Sequence, residues 1–419
     1  MKQSLIPKRY WLVFGTFLLT IILYIDRSCI SVAKEGITKD LQLTDKQFGW
    51  ILSAFALGYA LFQVPSGAMA DRFGPRRILS CVVAFWATFT GLTGMAWNFL
   101  SILVCRFLFG AGEAGAFPGI ARASFSWIPM KERGIVTGIN FSGSRIGAAV
   151  ALPLIAMVIK TIGWRYSFMI QACIGLSWAL FWFLWFRDDP TQKNISEEEK
   201  NYILQNRQQL KPGQKEKIST GILLKSRNMW MVMFQYFASN FTFFFCLGWA
   251  FTDIKNRFQL DAFYAGLWTG IPLLGGAAGN WIAGFMVDSI YKKGQWQLSR
   301  RLPAMIGFAL AAVGVTGFLY MERIGPAIFF LTLAILGADM TLSPSWSVCV
   351  DVGKKHAGAV SGTMNMAGNI GSFITGLAYA YMKEWTGSVQ SYFYVAAGLN
   401  VLAIFAWMMI KPEKTLEEY

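Results

Sequence analysis

The chain has 419 residues, of which 55% are hydrophobic and only 15% charged, against roughly 25% charged in a soluble domain. Apolar stretches of about 20 residues, enough to cross a bilayer, recur along almost the whole sequence and leave no soluble domain over. The 38 Lys and Arg exceed the 23 Asp and Glu by 15 charges, but they gather in short loops on one side. That is the positive-inside pattern of a membrane protein, not a nucleic-acid surface.

Twelve spans are predicted, near residues 10–33, 47–70, 78–96, 99–126, 133–159 and 164–186, then 228–250, 262–287, 302–320, 325–348, 356–382 and 388–410. The first follows Lys2, Lys8 and Arg9 and imitates a cleaved leader. Asp26 and Arg27 interrupt its apolar run, which suits a retained span better. Basic residues then mark alternate loops: Arg72, Arg76 and Arg77; Lys131 and Arg133; Lys292 and Lys293; Lys354 and Lys355. Both termini are expected on that side, the cytoplasmic one.

A polar segment separates spans six and seven, and in it Ile195 to Glu199 has the capping serine and early acids of a helix start. The predicted organisation is a six-helix bundle over 1–186, a cytoplasmic linker over 187–227 and a second six-helix bundle over 228–419. One marker of an internal repeat supports it, since Gly67-Ala-Met-Ala-Asp71 recurs as Gly284-Phe-Met-Val-Asp288. The fold class is an all-α membrane protein with twelve transmembrane helices in two pseudo-symmetric bundles. Such a duplication places a substrate site between the halves, near the bilayer midplane.

Charges inside spans are seldom accidental, because each costs roughly 3 kcal/mol at the bilayer centre. The set is Asp26, Arg27, Arg106, Glu113, Arg122, Arg145 and Asp339. Adjacent helical residues point about 100° apart, so Asp26 and Arg27 should meet different partners. Counting depth from each end predicts an Asp26–Arg106 pair above a more isolated Glu113 whose carboxyl can take and release a proton. A static ion-pair network is the alternative. Arg27, with its planar fork, is the candidate anchor for an anionic substrate, unless it simply pairs with Glu113.

Ser142-Gly-Ser144-Arg145-Ile-Gly147 has small residues suited to close helix packing. Arg145 does not fit packing and reads either as a second anion contact or as a snorkelling side chain. Asn365 and Asn369 lie one turn apart and suit sugar-like hydroxyls, or hydrogen bonds between helices. Tyr59 and Trp249 are placed to touch a ligand. The six cysteines lack ligand-like spacing, the single histidine His356 makes a triad or histidine relay implausible, and no GxxxxGK[ST] loop is present. Neither catalytic nor metal residues are expected, and no cofactor beyond a coupling proton.

Gly67 to Arg77, with Asp71, Arg72 and Arg76, resembles the signature between helices 2 and 3 of the major facilitator superfamily, where it acts as a cytoplasmic gate latch. Tyr24-Ile-Asp26-Arg27, the run from Arg106 through Glu113 to Pro118, Glu132-Arg133-Gly134 and Asp351 to Gly358 resemble its anion:cation symporter branch, which holds bacterial hexuronate and galactonate importers, sialins and vesicular glutamate transporters. The resemblance covers nearly the whole chain. It implies that Asp26 and Glu113 carry coupling protons, that Arg27 binds a substrate carboxylate, and that Tyr59, Ser144, Ser347 and Asn369 line the site. Arg145, where hexuronate-like members usually have a neutral residue, and Asp253 depart from the pattern.

The implied activity is proton-driven import of a sugar acid, hexuronate or hexonate, by a monomer in a bacterial inner membrane. Facilitated or exchange movement of another carboxylate, such as an aromatic acid, is the alternative. A membrane-embedded enzyme or a sensor lacks the residues or the output domain it would need.

Overall fold

The computed structural model describes residues 7–129, 132–192, 195–207, 225–353 and 357–414, and all regular structure among them is helical. The first half comprises α1 (Lys8–Val32), the short α2 (Lys34–Asp40), α3 (Asp45–Phe73), α4 (Pro75–Gly94), α5 (Phe99–Glu113), α6 (Ala116–Trp127), α7 (Arg133–Ile162) and α8 (Trp164–Trp185). A polar helix, α9 (Glu197–Asn206), follows. The second half comprises α10 (Arg227–Gly248), α11 (Ala250–Arg257), α12 (Ala262–Lys292), α13 (Trp296–Tyr320), α14 (Ile324–Met340), α15 (Leu342–Gly353), α16 (Ala357–Thr386) and α17 (Gln390–Met409). With α5–α6 and α14–α15 each taken as one span, ten described spans are long and apolar enough to cross a membrane. The other two long helices, α3 and α16, complete the set.

Local chemistry sets the boundaries. Thr44 and Asn98 close capping boxes with Gln47 and Ser101, each satisfying backbone N–H groups that a helix start leaves without partners. Ser196 caps α9 by accepting from the Glu199 N–H, as its sequence pattern predicts. Gly74 and Gly163, at φ of 79° and 84°, end one helix and begin the next in a backbone conformation that favours glycine.

Two spans read as continuous from sequence are broken. The fourth is interrupted at Ala114 and Gly115, and the tenth at Thr341. Proline supplies the reason. Pro118 has no N–H to return to the Ala114 carbonyl, and Pro344 none for Met340. Each break comes within two residues of a buried acid, Glu113 in one case and Asp339 in the other.

Within the first half, α1 packs on α7, α3 on α5 and α4 on α8, and in the second α12 and α13 pack on α14 and α10 on α16. The halves meet along α7 with α12 and α3 with α16, where glycines permit close approach. A Cβ on Gly266 would lie 2.7 Å from the Pro153 nitrogen, and one on Gly49 2.7 Å from the Gly376 carbonyl oxygen.

Candidate functional site

The last turns of α1 and the end of α5 assemble a buried charge centre. Arg27 Nε donates to Glu113 Oε2 at 2.7 Å, with Glu113 wholly buried. The rings of Tyr24, Phe55 and Tyr59 surround the guanidinium at 4.9, 5.1 and 5.0 Å, a range in which a desolvated cation is attracted to the aromatic face. Arg27 Nη2 and Glu113 Oε1 have no hydrogen-bond partner. The pair is therefore held by one bond and leaves a donor and an acceptor unused, although a bidentate fork is available to it.

The expected Asp26–Arg106 ion pair is not formed, and Glu113 is not isolated. Asp26, turned away from Arg27 by the helix, accepts at Oδ2 from the Trp86 indole N–H at 3.2 Å, and its Oδ1 has no partner. Arg106 packs its guanidinium over Phe109 at 4.3 Å and Phe55 at 5.3 Å. Depth counting placed these groups at one level but carried no information on which way each side chain turns. Trp86 was missed because a tryptophan in an apolar span looks like any other core or lipid-facing ring.

Arg145 neither snorkels nor stands free. Its Nε and Nη2 donate to Asp339 Oδ2 and Oδ1 at 2.6 and 2.5 Å, a bidentate bridge from α7 to α14 that ties the two halves together. Both residues are buried. Sequence gives a hint of this acid: Asp339 precedes Pro344 by five residues, as Glu113 precedes Pro118, at the corresponding span of each half.

The other candidates divide. Tyr59 belongs to the Arg27 cage. Asn369 Nδ2 donates to the Asn365 carbonyl and reaches Gln63 Oε1 in the opposite half at 3.4 Å. Ser144 and Ser347 give their hydroxyls to carbonyls of their own helices, Phe141 and Ser343. Trp249 stacks on Tyr379 at 4.8 Å and donates to the Gly376 carbonyl. It forms one wall of a cavity of about 30 Å³ that Arg27, Arg106, Phe55 and Ser372 also line, the room of about one water. A larger hollow along Ile162 at the end of α7 and Tyr166 and Ile170 of α8 is apolar and remote from these charges.

Of the gate-signature residues, the side chain of Asp71 lies outside the described residues, and Arg72 is exposed over Phe73. Arg76 is engaged instead with α8 and its end: its backbone N–H donates to Asp188 Oδ1 at 2.7 Å and its Nε to the Phe183 carbonyl. Asp188, which sequence reading missed, supplies the negative charge at the start of α4.

At the end of the molecule opposite the termini, ion pairs join the two halves. Lys34 and Lys383 converge on Asp45 at 2.7 and 3.5 Å, Lys46 pairs with Glu384, and Lys255 with Glu35. Burial holds the Lys34 ammonium below its usual range, with the Asp45 carboxylate opposing the shift. Asp253 accepts from the Tyr379 hydroxyl at 2.6 Å, and burial raises its carboxyl above the usual range. Among described residues, every ion pair between the halves lies here or at Arg145–Asp339. Asp45→Lys is expected to loosen this end, raising severalfold the thiol labelling of a cysteine placed at Leu52 in the cavity wall. Unchanged labelling would assign the closure to the apolar contacts that cross between the halves, Phe48 on Trp249 and Gly49 against Gly376.

Residues 16–376 match the family model described as Major Facilitator Superfamily. The chain belongs to that superfamily. It is 31% identical to a probable sulfoacetate transporter of Cupriavidus necator, over 100% of this chain and 97% of that protein. It is 31% identical to a hexuronate transporter of Bacillus subtilis, over 93% and 92%, and 30% to a probable galactarate/D-glucarate transporter of Escherichia coli K12, over 91% and 89%. A solved bacterial homologue of the human lysosomal transporter Spinster, inward-facing and occupied, superposes with a TM-score of 0.77 at 17% identity, covering 97% of each chain. The protein is a multi-pass membrane transporter of the major facilitator fold and not an enzyme.

Proposed function

We propose that this member of the superfamily is a proton-coupled symporter that imports a small organic anion of the sugar-acid class by alternating access. It works as a monomer in a bacterial inner membrane, with both termini in the cytoplasm. The observation that carries this reading is the buried Arg27–Glu113 pair, single-bonded and with an unused donor and acceptor. A proton reaching Glu113 neutralises the carboxylate that holds Arg27. The guanidinium then offers its fork to a substrate carboxylate, which takes the place Glu113 held. When the substrate leaves on the cytoplasmic side, Arg27 again favours the ionised carboxyl and the proton is released.

Asp26 supplies a second proton site. Its one hydrogen bond comes from the neutral Trp86 indole, and it forms no ion pair among the described residues. No cofactor enters this cycle beyond the coupling proton. The relatives named above support a sugar acid or similar anion, and their substrates fall into two kinds: hexuronate carries one acidic group, while galactarate, glucarate and sulfoacetate each carry two.

Uptake into proteoliposomes tests the reading with labelled galacturonate, galactonate and galactarate, with and without an inward proton gradient. The wild type is expected to accumulate substrate only with the gradient. In Glu113→Gln, accumulation is expected to disappear while exchange of substrate across the membrane persists, because the amide leaves Arg27 free but carries no proton. Accumulation that survives collapse of the gradient would move the protein to the exchange class.

A further inference from the structure

Beside the Arg27 site lies a second cation that the proposed cycle does not use. Arg145 crosses from α7 towards the second half, with its guanidinium 4.0 Å from the centre of the Phe243 ring, and only 8% of the residue is exposed. Its Nη1 is buried without a hydrogen-bond partner, as Nη2 of Arg27 is. Both approach the same ring, Tyr24, whose centre is 4.9 Å from Arg27 Cζ and 5.8 Å from Arg145 Cζ. Both cations are within reach of one aromatic ring, which puts them no more than about 11 Å apart.

Their order along the transport axis is also fixed. Gly143 and Gly147 of α7 sit against Thr20 and Ile21 of α1, so Arg145 lies nearer the terminal side than Arg27 by one to two helical turns. Each cation is held by one acid, Glu113 or Asp339, at the end of a broken helix. Gly276 is what admits Asp339 to its place, because a Cβ there would collide with the Asp339 carboxylate.

We infer that Arg145 is a second anion subsite, and that the two arginines together select a substrate with two acidic groups, either two carboxylates or a carboxylate and a sulfonate. This rests on the organic-anion symport reading and moves the preference within it from monoacids to diacids. One acid of the substrate binds Arg27 in place of Glu113, and the other binds Arg145 in place of Asp339. A short-chain diacid bridges the gap with one acid on each fork, and the unpartnered Nη groups give each fork a donor to spare. A monoacid leaves one arginine on its own carboxylate.

The test is uptake of labelled galactarate, sulfoacetate and galactonate by the full chain and by Arg145→Gln/Asp339→Asn, in which a neutral amide pair replaces the ion pair without leaving a lone buried charge. The wild type is expected to take up at least one diacid with a KM at least about tenfold below that for galactonate. The double variant should raise the diacid KM by a similar factor, leave galactonate within about twofold, and keep the melting temperature. Preference of the wild type for galactonate, or a shift in the variant that strikes both kinds of acid alike or neither, overturns the second subsite while leaving organic-anion transport standing. Uptake of none of the three acids overturns both.

Discussion

Arg27→Ala is expected to reduce substrate uptake by more than about a hundredfold and to lower the stability of the protein as well. The two effects have separate causes. Removing the guanidinium strands the fully buried Glu113 carboxylate, and breaking a buried ion pair from one side costs about 3–5 kcal/mol when the remaining charge stays ionised. It also removes the one donor set that the proposed cycle offers to the substrate's first acid. Arg27→Ala/Glu113→Ala separates these contributions: the stranded charge is gone, so thermal stability in detergent should recover much of the loss, whereas uptake should not return. Arg27→Lys keeps a cation but loses the fork and the stacking on Tyr24, Phe55 and Tyr59, and should fall about tenfold or more in uptake. Recovery of transport in the double alanine variant would remove Arg27 from the substrate path.

What sequence reasoning reached, and where it stopped, follows from what periodicity encodes. The spans were legible because apolar runs of bilayer length separated by basic loops admit few other readings. The residues forming the charge centre were legible because a charge in such a run stands out against its cost. The partners were not. Arg27 bonds a residue 86 positions away and Arg145 one 194 positions away, so whether Arg27 meets Glu113 or a substrate, and whether Arg145 finds an acid at all, is decided by helix rotation and crossing. Neither leaves a trace in residue spacing.

The helix breaks were legible in principle. A proline four residues beyond a carbonyl removes its partner, and the same acid-to-proline offset occurs in both halves. The offset carries more of the repeat than the glycine–aspartate marker did, because it points to the two acids that hold Arg27 and Arg145. Trp86 and Asp188 were hidden for opposite reasons. The first is an ordinary residue in an apolar span, and the second sits in a loop where an acid is unremarked.

The geometry of the Arg27–Glu113 pair depends in turn on how closely α3 and α5 approach, and this yields the largest packing effect expected in the molecule. A Cβ on Gly58 would lie 2.1 Å from the Phe107 carbonyl oxygen, and one on Gly110 2.1 Å from that of Phe55. The obstacle in each case is backbone, which no change of rotamer can move. Accommodating a methyl group requires the helices to separate, and overpacking of this kind costs about 1–3 kcal/mol.

Function should suffer beyond that figure. Gly110 lies one turn before Glu113, and Phe55 contributes to the cage around Arg27, so separating the helices pulls the acid and the aromatic cage apart together. Gly58→Ala and Gly110→Ala are each expected to lower the melting temperature in detergent and to cut uptake at least about tenfold, since a misplacement of roughly 1 Å at a positioned site costs up to about a hundredfold. Gly138→Ala is the control, because a Cβ there meets nothing within 4 Å, and alanine raises helix propensity. It should leave uptake unchanged and stability unchanged or slightly improved. If all three variants behave alike, the close crossing of α3 and α5 does not set the separation of Arg27 and Glu113, and the pair owes its geometry to α1 and α7 instead.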